Sequence, residues 1–206
     1  MSYLFILDSG HLDNGPFLKV FSKQLGSLNL PPSVFIHGDS EYTDRIMQTG
    51  FMRDEARIRA VKELNHRLIA LFADEGVACV GLNPYQRGLL TTDENDEITT
   101  DTTFLNGLLV HTHVMLSNLT SDKVSDDTNL MPLGNLAAVL DEALDFDAVI
   151  AISKNETGPG SDIFVNGNKN AENKLPDELE NSPISFTVIS MKDLNSLEVF
   201  NRRISS

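Results

Sequence analysis

The sequence predicts an α/β fold, a three-layer α/β/α sandwich built around a mostly parallel sheet. Short apolar runs alternate along the chain with longer segments of helical periodicity, as expected for strands joined by helical crossovers. The apolar runs are continuous, which is typical of strands buried on both faces of a parallel sheet. The chain has 206 residues, 41% of them hydrophobic, so we expect one domain over residues 1–206 with a substantial core.

The N-terminal segment predicts a strand followed by a helix. Residues 3–7 are continuously apolar and form the strand. Pro16 favours the first turn of a helix, with Asn14 or Gly15 as its cap. The residues expected on the buried face of this helix are Phe17, Val20, Phe21 and Leu25.

The next segment repeats this arrangement. Residues 34–37 form a second apolar strand, and Ser40 is the expected N-cap of a short helix over residues 41–48. The strongest helix covers residues 54–75 and ends at Gly76. Its expected buried residues are Ile58, Val61, Leu64, Leu68 and Phe72.

The rest of the chain continues the alternation, except for one polar stretch. Residues 157–182 are rich in Asn, Gly, Glu, Asp and Pro, and we expect a flexible polar loop there. The other predicted elements are strands over 77–82, 113–117, 147–152 and 184–189, helices over 101–110, 133–145 and 192–200, and a small hairpin around 87–90 and 97–99.

Charge and composition exclude several classes of partner and indicate the compartment of the protein. The net charge of −14 argues against nucleic acid and against an anionic membrane surface, because both partners require cations. We find no apolar run of membrane-spanning length and no signal peptide, so we expect a cytoplasmic protein. Cys79 is the only cysteine, which excludes an intramolecular disulfide, and its apolar surroundings indicate an unreactive thiol.

Several segments line up in order with one family. Residues 4–10 stand where that family has a strand ending in Lys-Leu-Gly-Gly, and residues 34–40 stand where it has a strand ending in His-Gly-Gly-Gly. Further similar segments are the helix at 64–69, the strand at 77–82 and the helix and strand at 136–152. In these segments the chain resembles the amino-acid kinase superfamily, most nearly N-acetylglutamate kinase, over residues 1–156 and a final strand and helix.

The departures from that family fall on its functional residues. Leu7 takes the place of the lysine that neutralises the transferring phosphoryl group, and Asp39 and Ser40 replace two glycines of the phosphate turn. The substrate-binding Gly-Leu-Arg motif falls near residues 50–53, with its Arg on Met52 unless the register slips by one. The Asn-Ala-Asp motif falls on residues 134–136 and lacks its Asp. The nucleotide-binding part is expected to be reduced, with residues 157–182 in its place.

These departures predict poor phosphoryl transfer. Loss of one such stabilising group typically costs about 10²–10³ in rate, roughly 3–4 kcal/mol. A carboxylate about 4 Å from a phosphate charge repels it by roughly 4 kcal/mol at an effective dielectric constant of 20. We therefore expect a non-catalytic relative with no catalytic residues and no cofactor, acting as an interaction or regulatory subunit. The alternative is an active kinase that phosphorylates an amino-acid-type carboxylate and requires ATP and Mg²⁺.

A third hypothesis is that the chain still binds a small carboxylate metabolite at the strand ends. The candidate contacts are Gly38, Asp39, Ser40, Arg53 and Asn65. Each of these has a simpler structural explanation, and Asp39, as a lone Asp after a strand, would cap a helix or a turn. Gly38 would form the turn, Ser40 would cap a helix, Arg53 would begin a helix in solvent, and Asn65 would be an exposed helix position.

A metal site is a further alternative. Asp8, His11, His37 and Asp39 follow the ends of two strands that should be neighbours, and their side chains suit a divalent ion. His111 and His113 would lie on one face of a strand, although two ligands do not complete a site.

The helix over 54–75 is the expected surface for a homodimer. It carries cations on an otherwise acidic chain, and the resemblance also implies a dimer helix in this region. An ordinary solvated helix face explains the same pattern. The cations are Arg57, Arg59, Lys62 and Arg67.

Overall fold

The computed structural model describes residues 2–7, 9–40, 53–94, 97–125, 127–152, 179, 182–189 and 194. In chain order its strands are β1 (Tyr3–Leu7), β2 (Val34–His37), β3 (Cys79–Leu82), β4 (Leu90–Thr92), β5 (Ile98–Thr100), β6 (His113–Ser117), β7 (Leu119–Asp122), β8 (Thr128–Leu130), β9 (Ala148–Ile152) and β10 (Thr187–Ile189). Its helices are α1 (Ser9–Leu12), α2 (Gly15–Ser27), α3 (Arg53–Asp74), α4 (Thr102–Leu109) and α5 (Leu133–Leu144).

The main sheet confirms the predicted fold class. Its six strands lie in the order β10-β9-β1-β2-β6-β3, and all five neighbouring pairs are parallel. All five residues of β1 are buried, as expected for a central strand covered on both faces. The strand order changes direction at β1, which has β9 on one side and β2 on the other.

Helices cover both faces of this sheet, which gives three layers. Residues of α2 and α3, including Phe21 and Phe72, join a core cluster with Phe5 and Phe35 of the sheet. Residues of α4 and α5 join a second cluster with Leu4 and Ile6, whose side chains point to the opposite face. The phenyl rings of Phe35 and Phe72 meet edge to face, with their centroids 5.2 Å apart.

Helix α2 has the predicted N-cap, but one residue of its predicted buried face is exposed. Asn14 is its N-cap, and its Oδ1 accepts a hydrogen bond from the Phe17 amide at 3.0 Å. Val20 was expected to be buried, but its side chain is 49% exposed and Leu18 is buried instead. At about 100° per residue, Val20 lies roughly 130° from the centre of the buried arc, whereas Leu18 lies inside it.

Helix α3 ends as predicted. Gly76 has a φ of +76°, a conformation that glycine adopts without strain. The Val77 amide bonds to the Phe72 carbonyl and the Gly76 amide bonds to the Ala73 carbonyl, the pair of bonds that defines a Schellman motif. Of the residues predicted for its buried face, Ile58 is only half-buried; the other four are buried.

A second, smaller sheet was only partly predicted. Its order is β5-β4-β7-β8, and β4 and β5 form the predicted hairpin. The first strand of this hairpin lies slightly later in the chain than expected, with Leu90 paired to Thr100. Strands β7 and β8 were not predicted, because they are short and largely polar. The short helix α1 was also not predicted.

Other predicted elements fall outside the described residues. These are the helix over 41–48, most of the loop over 157–182 and most of the helix over 192–200. The predicted strand over 184–189 is observed only as β10. No helix in the described part of the chain is long and apolar enough to cross a membrane.

Candidate functional site

The candidate site is the carboxyl edge of the main sheet, where β1 and β2 end side by side. Leu7 is the register partner of His37, so the segments that follow both strands leave the sheet at the same edge. In open parallel sheets, ligands bind at this edge near the point where the strand order reverses. The turn at Gly38–Ser40 therefore lies where a ligand is expected.

Leu7 is a core residue. It is fully buried and belongs to the cluster that includes Phe5, Phe35 and Met115. Its side chain makes no polar contact and fills space beneath α2 and α3. An aliphatic side chain in this position gives no charge-assisted hydrogen bond to an anion at the sheet edge.

Gly38 lies in a tightly packed position. A Cβ atom on this residue would lie 3.3 Å from Asn118 Nδ2 and 3.5 Å from Leu133 Cγ. Asn118 Nδ2 donates a hydrogen bond to the Met131 carbonyl at 2.8 Å, which holds the amide over Gly38. The φ of Gly38 is not in the left-handed region, so this segment does not depend on a backbone conformation that favours glycine. A larger residue at this position would require Asn118 to shift by a few tenths of an ångström.

Asp39 forms an ion pair that the sequence did not indicate. Arg57 Nε of α3 donates to Asp39 Oδ2 at 2.6 Å, and the Ser40 amide donates to Asp39 Oδ1 at 2.8 Å. The side chain of Asp39 is 13% exposed and that of Arg57 is 41% exposed. Arg57 therefore neutralises the carboxylate at the turn, and the repulsion expected between Asp39 and a bound phosphate is smaller than a lone carboxylate would produce.

The other three predicted contact residues are not brought together at one place. Ser40 is buried, and its capping role concerns residues outside the described ranges. Arg53 is the first residue of α3. Asn65 is buried, not exposed, and its Nδ2 donates to the Leu82 carbonyl at 3.1 Å, which fastens α3 to β3. Since β6 separates β2 from β3, Asn65 is not brought to the turn after β2.

His37 is a buried histidine at the end of β2. Its Nδ1 donates to the Gly38 carbonyl at 3.0 Å, so the neutral ring presents Nε2 as an acceptor, and no described residue donates to this atom. Burial lowers the pKa of His37 to about 4, against the opposing effect of the hydrogen bond to Gly38. The ring is therefore uncharged at neutral pH.

The four residues considered for a metal site are not assembled into one by the described residues. Asp8 lies outside those residues, Asp39 is paired with Arg57, and His11 packs on the Phe17 ring with centroids 4.3 Å apart. Within the described ranges, no group of three or more His, Cys, Asp or Glu side chains could hold a metal ion.

His113 and Cys79 are explained by their roles in the packing of the fold. The Ser33 amide donates to His113 Nδ1 at 3.1 Å, so the proton of the neutral ring is on Nε2. In this state neither ring nitrogen has a lone pair available to a metal. His111 is exposed in the turn before β6 rather than on the strand. Burial raises the pKa of the Cys79 thiol to about 12, in agreement with an unreactive cysteine.

Solved structures with a similar fold belong to the superfamily that the sequence resembles. An isopentenyl phosphate kinase is 14% identical, with a TM-score of 0.58 over 76% of this chain and 73% of that chain. Aspartokinase III of E. coli, solved with lysine and aspartate, is 10% identical, with a TM-score of 0.57 over 74% of this chain and 49% of that chain. N-acetylglutamate synthase of Neisseria gonorrhoeae, solved with coenzyme A and N-acetyl-glutamate, is 17% identical, with a TM-score of 0.57 over 75% of this chain and 42% of that chain.

These likenesses show the fold alone. The chain has the α/β fold of amino-acid kinase superfamily members, with a mostly parallel six-stranded sheet between helices. No family model matches the chain, and no curated protein matches it in sequence.

Proposed function

We propose that the chain is a non-catalytic, N-acetylglutamate-kinase-like protein of the cytoplasm. In this proposal it acts as an interaction, regulatory or small-metabolite-binding subunit and forms a homodimer. The observation that carries the proposal is the burial of Leu7 at the position where the resemblance places the phosphoryl-neutralising lysine.

The chemistry of phosphoryl transfer explains why this residue matters. Transfer depends on positioning and on cations that neutralise the charge developing on the phosphoryl oxygens. The side chain of Leu7 is part of the core and has no donor group. The guanidinium of Arg57 is the described cation at the turn, and it is bound to Asp39. As a pair, Asp39 and Arg57 add no net positive charge for an anion.

Leu7, rather than Asp39, is therefore the main obstacle to phosphoryl transfer. Repulsion by Asp39 is weakened by Arg57, so it no longer supplies a separate barrier of several kcal/mol. The missing donor at residue 7 is not replaced by any contact at the turn that the structure describes. On this account, ATP·Mg²⁺ lacks the charge-assisted contact that would favour transfer.

The cations of α3 that were expected to form the homodimer surface are largely engaged within their own chain. Arg57 pairs with Asp39, Lys62 Nζ lies 4.6 Å from the centre of the Tyr85 ring, and Arg67 donates to the Leu12 carbonyl. Three of the four cations considered for the dimer surface thus contact their own chain. Size exclusion with light scattering measures the oligomeric state, and a monomer would remove the dimer from the proposal.

Ligand-dependent thermal unfolding tests the metabolite-binding part of the proposal. The full chain is heated with ATP·Mg²⁺, N-acetylglutamate, glutamate or zinc in separate samples. A ligand at 100 times its Kd stabilises the folded state by about 2.7 kcal/mol, which raises Tm by several degrees. We expect no rise with ATP·Mg²⁺ or zinc, and a rise with a carboxylate would favour the metabolite-binding form.

The Arg57→Gln variant is the matched control for this experiment. It keeps the length of α3 and removes the cation at the turn. A Tm rise with ATP·Mg²⁺ in the parent chain that disappears in Arg57→Gln would locate nucleotide binding at the turn and contradict the proposal.

A further inference from the structure

The smaller sheet ends at β5, and no strand in the described part of the chain pairs with the outer side of β5. The strand order is β5-β4-β7-β8, so β5 has β4 as its described neighbour and an open edge on the other side. The Asp101 amide, directly after β5, bonds to the Leu89 carbonyl and so points towards β4. Backbone groups of successive residues alternate in direction along an antiparallel strand. The amide and carbonyl groups of Ile98 and Thr100 therefore point away from β4, towards the open edge.

A surface groove of about 310 Å³ lies between β5 and helix α5. Ile98 and Thr100 line it from the strand, and Val139, Glu142 and Ala143 line it from the helix. Ile98 and Val139 are partly buried and pack against the core cluster beneath them, so the groove has an apolar floor. A strand added beside β5 would place every second side chain over this floor.

The described charged residues in the groove and at the two ends of β5 are acidic. Glu142 lines the groove and is exposed, while Glu97 and Asp101 flank the strand and are also exposed. No cation is among the described residues that line the groove. A second copy of this chain would bring the same three carboxylates against these, and like charges across a strand pair are destabilising. The charge of the groove therefore favours a cationic partner over pairing of two β5 edges.

We propose that the open edge of β5 binds an extended basic segment of a partner protein as an added strand. The backbone of this segment exchanges hydrogen bonds with the amide and carbonyl groups of Ile98 and Thr100, which is the contact that drives recognition by strand addition. One apolar side chain packs on Ile98 and Val139, and a lysine or arginine two residues away meets Glu142. The inference rests on the interaction form of the proposed function, and it gives that form a surface and a partner chemistry.

Fluorescence anisotropy of a labelled peptide with the full chain tests this surface. The peptide is Thr-Lys-Thr-Val-Thr-Lys-Thr, amidated at its C-terminus and labelled at its N-terminus. Its valine and both lysines share one face of a strand, which is the face that would meet α5. The sequence reads the same in both directions, so a lysine lies near Glu142 whichever way the added strand runs. We expect saturable binding of this peptide.

Two control peptides separate backbone pairing from attraction between charges. The first carries N-methyl groups on its three central residues and should bind at least tenfold more weakly, because strand addition depends on main-chain hydrogen bonds. The second has glutamate in place of both lysines. It should bind at least fivefold more weakly at low ionic strength, because the carboxylates of the groove repel it.

Two variants change the groove at exposed or edge positions. Glu142→Lys reverses the charge near the C-terminus of α5, where a cation is compatible with the helix dipole. Thr100→Pro removes an outward amide donor, and proline is tolerated on an edge strand where the amide faces solvent. We expect each variant to lose at least fivefold in affinity for the parent peptide. Glu63→Lys makes the same charge change at an exposed position of α3 and should keep the parent affinity, and the Tm of each variant shows whether its fold is intact.

The inference is overturned if the parent chain shows no saturable binding, if either control peptide binds equally well, or if Glu142→Lys and Thr100→Pro both keep the parent affinity. Self-association of the parent chain that Thr100→Pro abolishes, measured by light scattering, would assign the edge to a second copy and would also overturn it. These outcomes are separate from those of the proposed function. Phosphoryl transfer by the chain would end the non-catalytic assignment without changing the peptide isotherm, and an absent isotherm would leave that assignment in place.

Discussion

Asp39 and Arg57 illustrate how much of a site depends on pairs of residues. From the sequence, Asp39 is a lone carboxylate in a phosphate turn, and it predicts strong repulsion of an anion. The contact with Arg57 at 2.6 Å changes that prediction, because the two charges largely cancel. Arg57 lies on another element, and its spacing from Asp39 follows no local motif. The sequence could not indicate this pairing.

His37 should make the stability of the fold depend on pH. Its pKa is lowered from 6.5 to about 4 by burial, so the unfolded chain binds the proton more tightly than the folded chain does. The contribution to the free energy of unfolding is complete above about pH 6.5 and is lost as pH falls towards 4. From these values we expect His37 to account for a loss of about 2 kcal/mol between neutral pH and pH 5.

Urea unfolding of the parent chain and of His37→Gln at several pH values measures this contribution. Carboxylates that titrate in the same range cancel in the difference between the two proteins. The variant His111→Gln, at an exposed histidine, is the control for the substitution itself. Equal slopes for His37→Gln and the parent would show that His37 is not the residue responsible.

At the level of elements, the helix ends and the buried strands were the best predicted features. Asn14 and Gly76 act through local backbone geometry, so their roles follow from a few adjacent residues. Val20 was misplaced because five large apolar residues in one helix allow more than one choice of buried arc. Strands β7 and β8 were missed because their pairing is non-local and their residues are partly polar.

The packing of α2 and α3 against the sheet gives a prediction for single residues on each helix. Phe72 is fully buried and contacts Phe21 and Phe35, so Phe72→Ala should lower the free energy of unfolding by about 3–5 kcal/mol. Val20 is largely exposed, so Val20→Ala should change it by no more than about 0.5 kcal/mol. Chemical denaturation at neutral pH measures both, and similar losses for the two variants would contradict the observed orientation of α2.

At the level of the whole molecule, the order of elements carried more information than any motif. The alternation of apolar runs and helical segments was enough to predict the layered fold. The superfamily was indicated separately, by the resemblance of several segments in order, although the solved structures compared are only 10–17% identical. The contacts that decide function join residues far apart in the chain. Leu7 could be interpreted from the sequence because its neighbours in the strand are local, whereas the pairing of Asp39 with Arg57 required the fold.

The central claim is that this framework is kept without the chemistry of phosphoryl transfer. Its most direct test is the transfer of labelled γ-phosphoryl from ATP·Mg²⁺ to N-acetylglutamate, glutamate or aspartate by the purified full chain. Leu7 is a core side chain with no donor group, so we predict no labelled product above the level of the protein-free sample. Steady formation of a labelled acyl phosphate by the parent chain, abolished in Arg57→Gln, would contradict the account.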